Sequence, residues 1–252
     1  MKITREIAEK VLATIDAGLV AGIGAPVPGK MCVEAAVCYA MGLPHGDEPA
    51  CVNSVLRNLK ITLNDQAWSS DKARASGMRR LGLAQLGSAG TLDARAFNVA
   101  VCRMTIGVIV PRALRNVAKV KSKHAVELER VAALCEKTPT RTSAACAASA
   151  ATTAAYAASA AAAYAAAAAT SAAHAYAAAS ASAACAACAA SAASAYAASA
   201  AASAASAAST SAAASAAASV YDQELAFFAE QVVQILVKMR VPGVQWLTLA
   251  PL

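Results

Sequence analysis

The chain has 252 residues, 58% of them apolar by letter but only 4% aromatic and 15% charged, with a net charge of +7. From Ser143 to Ser219, 50 of 77 residues are Ala, and no Gly, Pro, Asp, Glu, Lys or Arg occurs. That composition excludes one large core running the length of the chain. It also argues against a membrane-spanning tract, because Ala offers one methyl and a span needs about 20 residues dominated by larger apolar side chains.

Charge divides the same way. Residues 1–142 hold 20 basic and 12 acidic side chains, the Ala-rich tract holds none, and residues 220–252 hold two basic and three acidic. Three parts follow: a basic helical domain (1–142), an Ala/Ser-rich helical tract (143–219), and an amphipathic helix with an apolar terminal segment (220–252) that docks on the rest. Met1 to Ile15 is charged and amphipathic without an apolar block, so no export signal is read. A cytoplasmic location with reduced thiols is expected.

The first element is a helix with Ile3, Ile7, Val11, Ile15 and Leu19 on one stripe and Thr4 as N-cap. Gly22, Gly24, Pro26, Pro28 and Gly29 make an irregular loop. Met31 to Met41 predicts a second helix, closed by Gly42 and Pro44. Val52, Val55, Leu56 and Leu59 predict a third, broken at Leu63-Asn64-Asp65. Lys60 to Leu63 is the nearest approach to a strand pattern, and it is short. Ser69-Ser70-Asp71 starts a fourth helix carrying Met78, Leu81 and Leu86. A fifth, capped by Thr91, runs to Val110, and Pro111 opens the next. Ser122 to Glu136 closes the series before the Thr138-Pro139-Thr140 boundary. The fold class is all-α.

Ala has the highest helix propensity and the tract has no breaker, so it is expected to be helical. A single rod of that length would reach roughly 115 Å. The doublets Thr152-Thr153 and Thr170-Ser171 and the run Ser209-Thr210-Ser211 are expected to cut it into shorter helices. Ser recurs with a period of three, which precesses around an α-helix and fixes no polar face. The same drift argues against a flat hydroxyl array that could order ice. Smooth Ala helices approach one another closely, but each Ala buries little, so the tract needs neighbours. Tyr156, Tyr164, Tyr176 and Tyr196 are its large side chains and candidate interface anchors. Leu225 to Met239 then forms an amphipathic helix ended by Val241-Pro242-Gly243. Val244 to Leu249 is expected to rejoin the N-terminal domain.

The runs Met31-Cys32-Val33-Glu34-Ala35-Ala36-Val37-Cys38-Tyr39-Ala40, Gly42-Leu43-Pro44-His45-Gly46-Asp47, Leu63-Asn64-Asp65 and Trp68-Ser69-Ser70 resemble those of uncharacterised proteins of bacteria and their phages. Those proteins carry variable Ala-rich tracts and a similar ending around Pro242-Gly243 and Trp246-Leu247. The likeness covers both ends of the chain and implies no activity and no site.

Four constellations carry chemistry. Cys32, Cys38, His45 and Cys51 offer thiolate and imidazole, the ligands zinc prefers, but their spacing is wider than that of a compact zinc knuckle. Their bland alternative is buried small Cys plus a loop His. Cys185 and Cys188 form a CxxC inside a tract where Ser and Cys interchange as small residues. Arg112, Arg115, Lys119, Lys121 and Lys123 form a basic run with no acid between them, able to hold phosphates, although no aromatic residue interleaves to stack bases. Glu34 and His45, with Asp47 and Glu48, could make an acid–base set. No nucleophile, phosphate-loop or metalloprotease motif accompanies them, and no cofactor is implied. The expectation is a non-enzymatic structural or interaction protein, a homo-oligomer through its Ala-rich helices. Two alternatives stand: a nucleic-acid-associated protein using the basic run, and a small-molecule-binding or catalytic protein centred on Glu34 and His45.

Overall fold

The Thr4 hydroxyl accepts a hydrogen bond from the Ile7 amide at 3.4 Å and so starts helix α1 (Arg5–Asp16) in the computed structural model, which describes residues 3–119, 124–155 and 213–252. Ala8, Val11 and Ile15 are buried along its inner stripe. Cys32, rather than a residue before Met31, caps α2 (Val33–Ala40), its Sγ accepting from the Ala35 amide at 3.4 Å. Asn53 caps α3 (Ser54–Asn64) through the Val55 amide. The Lys60 to Leu63 stretch is therefore helical. Ser70 caps α4 (Asp71–Ala84) through the Ala73 amide at 3.1 Å. Among the described residues there is no β-strand, only one isolated antiparallel bridge between Gly24 and Met31. The described fold is all-α.

The chain divides into two compact units, residues 1–97 with 226–252, and residues 98–225. The boundary between them falls inside one helix, α5 (Ala94–Met104). Thr91 does not cap that helix. Its hydroxyl donates to the Gly87 carbonyl, while Asp93 accepts from the Ala96 amide at 2.9 Å.

In the first unit α2 is buried on nearly every side. Arg74 fastens the surrounding loops, donating from Nε to the Asn64 carbonyl at 2.8 Å and from Nη1 to the Leu19 carbonyl at 2.9 Å. The last helix, α9 (Ala213–Lys238), contributes Phe228, Val232, Val233 and Leu236 to this core. Arg240 adopts a left-handed φ of 56°, and a short 3-10 helix follows over Pro242–Leu249. That segment packs on α4 and α1. Gly243 permits the contact: a Cβ there would lie 2.7 Å from both the Ala84 carbonyl oxygen and the Leu86 amide nitrogen. Arg80 completes the attachment through Glu230 at 2.9 Å and the Ala250 carbonyl at 2.6 Å. Residues 226–252 thus belong to the same unit as residues 1–97.

The second unit contains the end of α5, a π-helical turn at Thr105–Ile109, α6 (Val110–Lys119), α7 (Ala125–Lys137) and α8 (Arg141–Ala155). Pro111 stands in the first turn of α6, as its sequence position predicts. A proline ring clashes with the carbonyl four residues earlier and lacks a donor. Here the wider π turn sits just before it, so the irregular hydrogen bonding is met at the proline and the helical path continues. By length and composition, Ala94–Lys119 could cross a membrane, but 61% of its apolar window is buried inside the protein, as in a core helix. Thr140 and Ser143 cap each other's amides at the start of α8. That helix runs through Thr152-Thr153, so the doublet does not interrupt it. In an Ala-rich helix the small propensity deficit of two β-branched residues is outweighed by their neighbours. Thr170-Ser171, Ser209-Thr210-Ser211, Cys185 and Cys188 lie outside the described residues.

Candidate functional site

The first unit encloses a polar cluster. Glu34 stands in the first turn of α2, where the helix dipole favours a carboxylate. Lys60 reaches it from α3, its Nζ 2.7 Å from Glu34 Oε1, and both side chains are fully buried. Gln85, at the end of α4, is also fully buried and approaches the same carboxylate. The short contact is not aligned as a hydrogen bond, so both Glu34 oxygens, Lys60 Nζ and both ends of the Gln85 amide lack an aligned partner. Burial pushes the Glu34 carboxyl up and the Lys60 ammonium down, each opposed by its partner's charge. Their affinities for a proton are thereby drawn toward one another.

Lys60 escapes sequence reasoning, although a signal exists. It sits on the same face of α3 as Leu56 and Leu63, so it is a lysine on an apolar stripe. A lysine so placed is enclosed unless it reaches out of the core, and here it meets a carboxylate instead.

Three thiols surround this cluster. Burial raises Cys32, partly offset by the Ala35 and Glu34 amides. It raises Cys38 to about 11, with Glu34 and Cys51 adding to the effect. It raises Cys51 against the Gly87 amide and the Lys60 charge. Cys51 lies close to the thioether of Met41, Sγ to Sδ 3.4 Å. It also lines an open groove of about 790 Å³ with Thr4, Arg5, Gly87, Pro242 and Trp246. His45 faces elsewhere: its exposed ring donates from Nε2 to the Gly24 carbonyl at 3.1 Å. Glu48 pairs with Arg57 at 3.0 Å. Cys32, Cys38, His45 and Cys51 accordingly do not converge as one ligand set. Among the described residues no three His, Cys, Asp or Glu side chains are placed to share an ion. Glu34 and His45 likewise have separate partners.

The basic run is met by acids from other elements of the second unit. Arg112 pairs with Glu224 of α9 at 3.1 Å, and Arg115 with Glu129 at 2.9 Å and with Glu136, both on α7. The Arg115 guanidinium holds the Glu136 carboxyl below its ordinary value. Lys119 is exposed at the end of α6. Lys121, Lys123, Tyr156, Tyr164, Tyr176 and Tyr196 lie outside the described residues. The run is therefore acid-free in sequence but not in space. No family model matches the chain, and no curated protein or solved structure is detectably similar to it.

Proposed function

We propose that this is a non-enzymatic interaction protein that self-associates through its Ala-rich helical tract. The supporting observation is the arrangement of α8, where the tract begins. Ala144, Ala147 and Ala151 are buried along one stripe, and α8 packs against α7, whose buried residues are Leu128, Val131, Ala132 and Cys135. Ala145 and Cys146 are exposed on another face that carries no charge. An Ala helix of this chain thus satisfies one face by close packing and presents a second smooth face. Continued over an ion-free sequence, that pattern favours lying against further copies of the same surface. The acids facing Arg112 and Arg115 weigh against a phosphate-binding use of those arginines.

Light scattering on the full chain tests the reading. The expected mass is at least twice the 25.1 kDa of one chain, falling when Ala145→Glu and Cys146→Glu place charges on the smooth face. A monomer at every concentration overturns it.

A further inference from the structure

Sequence proximity suggests a ligand set of thiols and imidazole, whereas the fold brings Cys51 to the thioether of Met41 instead. Cys38 and Met41 are three residues apart at the end of α2, a spacing that places side chains on one face. The loop from Gly42 to Asn53 returns Cys51 to that face, with its Sγ 3.4 Å from Met41 Sδ. Cys38 and Cys51 are both buried in the first unit. All three cysteines of this region are free. We propose that Cys38, Met41 and Cys51 form a binding site for a monovalent copper ion.

Thiolate and thioether are soft donors and select Cu(I) over harder cations. Zinc prefers four nitrogen or sulfur ligands, and the His45 imidazole is engaged with the Gly24 carbonyl. The two thiols each lose a proton to solvent as their sulfur–copper bonds form, and no electron is transferred. Copper(I) with two thiolates carries one negative charge, which is accommodated beside the neutral Glu34–Lys60 ion pair. The groove that Cys51 lines gives the ion a path from solvent.

The test is an anaerobic titration of the full chain with Cu(I) against a colorimetric copper(I) chelator. A background of Cys146→Ser, Cys185→Ser and Cys188→Ser removes the tract's own thiols. One ion per chain should be retained, with a sulfur-only coordination shell by X-ray absorption. Met41→Leu keeps volume and apolarity, so the core survives, and it should weaken retention roughly tenfold or more. Cys51→Ala should do the same, while Cys135→Ala, in the other unit, should leave retention unchanged. Loss of the ion to the chelator by the parent protein overturns the site. So does retention that is indifferent to both Met41→Leu and Cys51→Ala, with helical content unchanged by circular dichroism.

Discussion

Lys60 Nζ stands 2.7 Å from Glu34 Oε1, and neither side chain has any surface in contact with solvent. Desolvating two charges is expensive, and their attraction compensates fully only when the remaining donors and acceptors are also met. Here both carboxylate oxygens, the ammonium and the Gln85 amide lack aligned partners. The pair therefore specifies how α2, α3 and α4 meet more than it stabilises them.

The buried pair fixes the outcome of a mutant cycle. Glu34→Gln or Lys60→Met alone leaves one uncompensated buried group and should destabilise by about 3–5 kcal/mol in urea unfolding. The double replacement Glu34→Leu with Lys60→Met removes both charges and should recover most of that loss or exceed the parent. Additive losses in the double variant would show instead that the pair is a net source of stability.

The helix starts were legible because caps are local: Thr4 and Ser70 each bind an amide three residues on. What was not legible depends on distant partners. Nothing near Arg112 or Arg115 in sequence announces Glu224 or Glu136. The passage of a helix through Pro111 depends on a π turn, which hydrophobic periodicity does not encode. The four clustered Cys and His residues looked like one site because they are close in sequence, yet the intervening turn sends His45 to Gly24 and Cys51 to Met41.

Thiol chemistry should report the same burial. Alkylation proceeds through the thiolate. Cys38 and Cys135 are buried and pushed up to about 11, whereas Cys146 is exposed. Peptide-resolved mass spectrometry at pH 8, on the chain diluted below its association, should find Cys146 modified before Cys38 and Cys135, which react only on unfolding. Between about 9 and 11 the unfolded chain sheds thiol protons that the folded chain keeps. Stability should fall as pH rises through that window. Stability flat across it, or early modification of Cys38, would contradict the burial described.

The terminal segment provides a sharper packing test. Its Gly243 lies against the end of α4, leaving no room for a methyl. Gly243→Ala should lower stability by about 1–3 kcal/mol, seen as a reduced urea midpoint with unchanged slope. Gly46→Ala, where the nearest atom lies 3.9 Å from an added Cβ, should stay within about 0.5 kcal/mol. Equal effects at the two positions would mean that the segment is not held closely against α4.

The last test concerns the Ala-rich helix itself. Ala147 is fully buried in α8, while Ala145, two residues earlier, is exposed. If close approach of α7 and α8 depends on methyl-sized side chains, Ala147→Leu must push the helices apart, an overpacking penalty of about 1–3 kcal/mol. Ala145→Leu changes helix propensity little and should be nearly silent in the monomer. In an assembled state, however, Ala145→Leu would disturb a second close contact and lower the mass seen by light scattering. A loss of stability at Ala147 with a loss of mass at Ala145 would separate the two faces of one helix, one serving the fold and the other serving association. Silence at both would mean that methyl-sized side chains are not what the packing of α8 requires.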